Sequence, residues 1–269
     1  MTPTPDRKLA QLIQLIDRSV PFTFIRFSDG EIEILRNREL YIGNGLTKFR
    51  GRVTNNCFPD FDSKSFDPLI NKSFRRDLLE SAIYSGKNYF KGIPTRHNLA
   101  VKDREFMLRL NGGYDENMTF SDLFLNSNFN TFRENFLPKL LSKFDNKYFI
   151  GNFRCKFEKE FKGLSLIDIP DNFFLDYDSV FVNTHLKLLE IPEFSLVFSS
   201  ASSLSNTLGY RLKMDRPDIT FIDVGTVVND LVGLDASTRG YHVLNNKLGL
   251  INKISAFAYR IRNEYKIRW

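Results

Sequence analysis

Two carboxylates separated by one glycine, Asp29-Gly30-Glu31, follow directly on the apolar run Phe22-Thr23-Phe24-Ile25-Arg26-Phe27. Convergent oxygen donors of this kind suit a hard divalent cation, Mn2+ or Mg2+. Such an ion neutralises a diphosphate as it leaves. Gly30 has access to backbone angles closed to other residues, so the reading has it turn Asp29 and Glu31 towards one point. Arg26 sets a fixed charge on a strand otherwise rich in Phe, which calls for a phosphate or a structural ion pair. The plainer account treats Asp-Gly as a turn and Glu31 as an acid in the first turn of a helix.

A second candidate is Leu196 to Leu208, where an apolar run enters Ser199-Ser200-Ala201-Ser202-Ser203 and then Leu204-Ser205-Asn206. Free amides at a helix start bind phosphate, and Ser200, Ser202, Ser203 and Asn206 add polar groups. The segment lacks the Gly-Lys pair of a P-loop and the glycine spacing of a dinucleotide fingerprint. A serine-rich helix cap is the alternative. A third candidate is Phe221-Ile222-Asp223-Val224-Gly225, which puts an acid at a strand end, where a ribose hydroxyl or a metal is met. His97, His185 and His242 share no spacing. His185 reads as a packing residue, and His242, after Arg239-Gly240-Tyr241, is a candidate to approach the metal. No Ser-His-Asp order stands out.

The elements that position these residues alternate. A helix is expected over about 6–17, with Thr4 or Asp6 as cap, a strand over 22–27 and a short helix over 31–36. Asp67-Pro68 predicts the start of a helix reaching Gly86, with Pro68 at its first position. Strands follow at 88–93, 147–151, 164–169, 194–199 and 219–224. Helices are expected around 103–110, 129–144, 172–189, 201–214 and 248–262. Strands alternating with helices imply βαβ units and a largely parallel sheet flanked by helices, an α/β fold. The reading is one domain over 1–269, with an N-terminal half to about 145 and a C-terminal, nucleotide-side half from about 146.

Composition agrees with a packed chain of 269 residues: 42% hydrophobic and 26% charged, with 27 Phe. That excludes disorder. Phe in such number fills a core or forms an apolar acceptor surface. The net charge of +6 favours an anionic partner: nucleotide phosphate, membrane surface or nucleic acid. Cys57 and Cys155 have no zinc spacing, and Met1 to Lys8 is no secretory signal. The expectation is a cytoplasmic chain with free thiols and at most peripheral membrane contact.

Together these pieces resemble the bacterial glycosyltransferases once grouped as DUF1792, whose structure defined the GT-D fold. The hallmark is an Asp-x-Glu motif (DxE) within an Arg-Phe-Gly-Asp-Gly-Glu-like stretch, here Arg26-Phe27-Ser28-Asp29-Gly30-Glu31. Lys91-Gly92-Ile93-Pro94, Ile169-Pro170-Asp171-Asn172-Phe173 with Tyr177-Asp178, Thr207 to Leu212 and Ile222-Asp223-Val224-Gly225 resemble further family elements, in order. Ser28 stands where glycine is usual, Ser202-Ser203 where Gly-Pro is usual, and Thr226 where His is usual. The resemblance implies a Rossmann-like fold, a UDP-sugar donor, a divalent metal held by Asp29 and Glu31, and transfer to a glycan or glycoconjugate. Arg26 then faces the diphosphate, while Ser200, Ser202, Ser203, Asn206, Asp223 and Gly225 hold the nucleotide. His242 is the candidate to take the missing His's place at the metal. Two other classes stay open: another nucleotide-using α/β transferase, and a nucleic-acid-binding or nucleic-acid-modifying protein.

Overall fold

The computed structural model describes residues 4–43, 45–55, 58–95, 100–125 and 128–234. Helix α1 (Pro5–Asp17) starts at Thr4, whose hydroxyl accepts the Arg7 amide, and it buries Leu9, Leu12 and Ile16 at helical spacing. Strand β1 (Thr23–Arg26) and helix α2 (Asp29–Leu35) follow. Four short strands come next: β2 (Leu40–Gly43), β3 (Leu46–Phe49), β4 (Arg52–Thr54) and β5 (Lys64–Phe66). Then come α3 (Lys72–Ile83), β6 (Tyr89–Ile93), α4 (Val101–Leu110) and β7 (Met118–Phe120).

Helix α5 (Phe129–Thr131) passes through a π-helical turn, Phe132–Phe136, into α6 (Leu137–Lys143). Pro138, with no amide to donate, lies in the first turn of α6, next to where the helix widens. The C-terminal half continues with β8 (Lys147–Asn152), β9 (Ser165–Ile169), a 3-10 turn Phe173–Asp176 leading into α7 (Tyr177–Leu189), β10 (Leu196–Ser199), α8 (Leu204–Asp215), β11 (Thr220–Asp223) and a 3-10 stretch Gly225–Leu231.

Seven strands form one sheet in the order β7-β6-β1-β11-β10-β8-β9, with every described pairing parallel. Both halves of the chain build it, because β1 pairs with β11. Side chains alternate between two cores. Ile25, Tyr89, Ile150, Val197 and Phe221 face one, with residues of α2, α3, α4, α7 and α8. Phe24, Phe90, Phe149, Phe198 and Ile222 face the other, with residues of α1 and the 129–143 helices. That is the period of two a sheet covered on both faces requires. The abundant Phe is therefore mainly core: Phe24, Phe124, Phe132, Phe136, Phe149, Phe161 and Phe198 pack ring to ring on one face.

Strands β2 to β5 form a separate antiparallel sheet, order β4-β3-β2-β5, which the sequence reading left unassigned. Its strands are three or four residues long, too short for periodicity to show. The helix expected from Asp67-Pro68 begins only at Lys72. Here the Asp67 carboxylate accepts the Leu69 amide and the Asn71 side chain accepts the Asp67 amide, 2.7 and 2.8 Å. Side chains take the amides, so the segment forms a turn instead. The final helix expected over 248–262 lies outside the described residues, as do His97, His242 and Cys57. Among the described residues no helix is long and apolar enough to cross a membrane.

Candidate active site at the carboxyl edge of the sheet

Parallel strands point their carboxyl ends at one edge, and ligands of such sheets bind there. β1 delivers Arg26 and Asp29 to that edge, β11 delivers Asp223 and Gly225, and β10 delivers Ser200 to Ser203.

Asp29, Gly30 and Glu31 form the first turn of α2, with Ser28 at the N-cap. The Glu31 carboxylate reaches back to accept the Ser28 amide at 2.9 Å, the acidic half of a capping box. Asp29 is exposed and accepts the Gly30 amide with its own Oδ1 at 3.0 Å, whereas Glu31 is buried. Gly30 is not the hinge expected from sequence. It is not among the residues with positive φ, and a methyl group there meets only Leu40 Cδ2 at 3.8 Å. The helix itself, rather than a strained glycine, fixes the two acids, and residues two apart on a helix do not face one another.

Burial raises the Glu31 pKa above the ordinary carboxylate value; the charge of Lys64 opposes the rise, and Asp223 and Asp29 add to it. Asp223 is likewise raised by burial, against the pull of Arg26. Two buried acids and one exposed acid thus gather where β1 and β11 end.

Arg26 Nη2 donates to Asp223 Oδ1 at 3.1 Å, and the Gly225 amide donates to the same oxygen at 2.9 Å. Gly225 has φ +50°, and a Cβ there falls 1.7 Å from Arg26 Nη2. The backbone at 225 lies directly against the guanidinium, which only glycine permits. Arg26 and Asp223 are brought together as a charge pair.

In the β10–α8 segment, Ser199 and Ser205 hydroxyls hydrogen-bond to each other at 2.8 Å, and Ser205 Oγ accepts the Ala201 amide at 3.2 Å. The Ser200 amide donates to Ile150 of β8 at 2.8 Å. Ser202 has φ +52°, and among the described residues the Ser202 and Ser203 amides donate to no protein acceptor. Two successive amides at a helix start, without a protein acceptor among the described residues, are groups of the kind that bind anions. Asn206 turns inward: its Nδ2 donates to the Arg26 carbonyl at 2.7 Å, while its fully buried Oδ1 has no donor among the described residues. It ties α8 to β1 beneath the site.

Among the described residues no group of three or more His, Cys, Asp and Glu side chains is placed to hold a metal. Asp29 and Glu31 supply the oxygen donors that Mg2+ and its mimics take, but α2 points them apart and Glu31 is engaged with the Ser28 amide, so an ion here would rest mainly on Asp29, water and substrate phosphate oxygens. Of the other candidates, His185 stacks on Phe181 and bonds Asp215 at 2.9 Å, the packing role read for it. Burial pushes the Cys155 thiol up to about 12, which leaves it inert as a nucleophile.

No family model and no curated protein matches the sequence. Solved structures do. One, the selenomethionine form of domain of unknown function 1792 (DUF1792), is 13% identical, covering 83% of each chain with a TM-score of 0.52. Another, a glycosyltransferase (DUF1792) from Streptococcus sanguinis, is 14% identical over 84% of this chain and 81% of that one, TM-score 0.52. The chain has the DUF1792 fold. At this identity the likeness is one of backbone, and the DUF1792 resemblance read from short motifs is matched by the course of most of the chain.

Proposed function

We propose that the protein is a glycosyltransferase that moves a sugar from a nucleotide-sugar donor, a UDP-sugar, to a hydroxyl of a glycan or glycoconjugate. The observation that carries this is the meeting of Asp29 and Glu31, the Arg26–Asp223 pair and the Ser202–Ser203 amides at the carboxyl edge of a sheet whose fold is shared with a glycosyltransferase.

Asp29, with Glu31 in the same turn, would hold Mn2+ or Mg2+, which supplies positive charge to the donor diphosphate when bound. The Ser202 and Ser203 amides take phosphate oxygens. Arg26, held by Asp223, adds fixed charge to the same edge, and the backbone at Gly225 keeps that side chain in place. The exposed Asp29 faces solvent and the incoming donor, while Glu31 is pinned to the Ser28 amide. An acceptor hydroxyl then attacks the anomeric carbon as the bond to the diphosphate breaks, and its proton leaves to a base or water.

Nucleotide release from a panel of nucleotide sugars, with and without Mn2+, tests the reading. Slow metal-dependent release from one donor is the expected result. No release from any donor, with no thermal stabilisation by any nucleoside diphosphate, overturns it.

A further inference from the structure

Lys64 opens β5, the strand of the small antiparallel sheet that pairs with β2. In a strand, residues two apart share a face. Phe66 is buried, packed edge-on against Phe74 and Phe174 at centroid distances of 6.3 and 5.8 Å. Lys64 therefore lies on the inward face of β5, not the solvent face. Between them, the Ser65 amide donates to Asn172 Oδ1 at 3.2 Å, which fastens the strand to the segment entering α7.

The partner strand β2 brings this lysine to the catalytic turn. Lys64 is in register with Ile42 of β2, and Leu40 of the same strand is the residue against Gly30. Among the charges acting on the buried Glu31, that of Lys64 does most to favour its ionised form. Yet Lys64 enters no ion pair within 4 Å among the described residues, whereas Arg26 is bound to Asp223 and Arg36 and Arg50 to Asp103. A half-buried lysine on the inward face, whose charge acts on the buried Glu31 yet which has no carboxylate within 4 Å among the described residues, is the arrangement that accepts an incoming anion.

We infer that Lys64 binds the diphosphate of the nucleotide-sugar donor, so that the antiparallel sheet contributes a catalytic residue to a site otherwise built by the parallel one. This rests on the glycosyltransferase reading. As the anomeric carbon to phosphate bond breaks, its electron pair goes to the diphosphate oxygen, and the Lys64 ammonium neutralises that charge without giving up its proton. The acceptor oxygen forms the new bond and its proton leaves separately.

The test is UDP binding with Mn2+ by calorimetry, together with nucleotide release from the donor that the wild-type protein consumes, for Lys64→Gln, Lys64→Met and Lys64→Arg. Melting temperatures establish that each variant is folded; Met keeps the length of the apolar stem. The expected result is at least tenfold weaker UDP binding and at least hundredfold slower release for Gln and Met, with Arg recovering much of the binding. Folded Gln or Met protein that binds UDP within twofold of wild type overturns the proposal and leaves the glycosyltransferase reading standing. Wild-type protein that neither binds UDP nor releases any nucleotide overturns both.

Discussion

Glu31 carries opposing demands that a single substitution separates. Its folded pKa lies above the ordinary carboxylate value because burial disfavours its charge. A raised folded pKa contributes stability that is fully present below the unfolded pKa and is lost as pH rises through the folded one. Ionising Glu31 in the folded protein therefore gives up stability as pH rises through that raised value. Glu31→Gln keeps an oxygen for the Ser28 amide and should melt at or above the wild-type temperature at pH 7. That gap should close as pH falls through the raised folded pKa and below the ordinary carboxylate range, where the carboxyl is protonated in both states. Nucleotide release should drop by about 100-fold or more, as for removal of a group that stabilises transition-state charge. Calorimetric melts between pH 4.5 and 8 check the sign, and a less stable Gln variant at pH 7 refutes it. Gly225→Ala tests the neighbouring contact. An alanine at φ +50° costs about 1–2 kcal/mol, and its methyl displaces Arg26 from Asp223. Both stability and donor affinity should fall.

At the level of elements, α3 joins the two sheets. Phe74 contacts the rings of Phe66 from β5, Phe173 and Phe174 from the 3-10 turn, and Tyr177 from α7. Phe74→Ala leaves a cavity at that junction, with an expected loss of about 3–5 kcal/mol measured by denaturant unfolding. The antiparallel sheet is also fastened to α4, where the buried Asp103 takes both Arg36 and Arg50. Both arginines are partly exposed, so solvent screens the pair and its effect on stability is modest. Asp103→Asn should instead act on position, letting the sheet that carries Lys64 shift. A raised KM for the donor with little change in melting temperature is the expected signature; an unchanged KM means that α4 does not position the sheet.

For the whole molecule, the test is what the carboxyl edge binds. Chelation with EDTA should abolish nucleotide release, and added Mn2+ or Mg2+ should restore it, because Asp29 and Glu31 alone leave the diphosphate charge unbalanced. Release that persists through chelation assigns the leaving-group role to Arg26, Lys64 and the Ser202–Ser203 amides without a metal.

Much of this architecture was readable in local order. Leu9, Leu12 and Ile16 marked α1, Phe22 to Phe27 marked β1, and the alternation of apolar strands with helices after residue 146 marked a parallel sheet. These features depend on periods of 3.6 and 2 that neighbouring residues carry among themselves. The sequence also placed Asp29 and Glu31 after a strand and the serine run from Ser200 at the passage from a strand into a helix, which is where the structure has them, with Asn206 inside α8. It did not determine which ends meet. The Arg26–Asp223 pair joins residues 197 apart and exists only because β11 lies beside β1. Asn206 turns to the Arg26 carbonyl because α8 packs on β1. Lys64 had no signal of its own: one lysine in a three-residue strand becomes part of a site only when β5 pairs with β2 and β2 packs against α2. Pairing across such distances is set by strand order and sheet packing, and no local pattern encodes it.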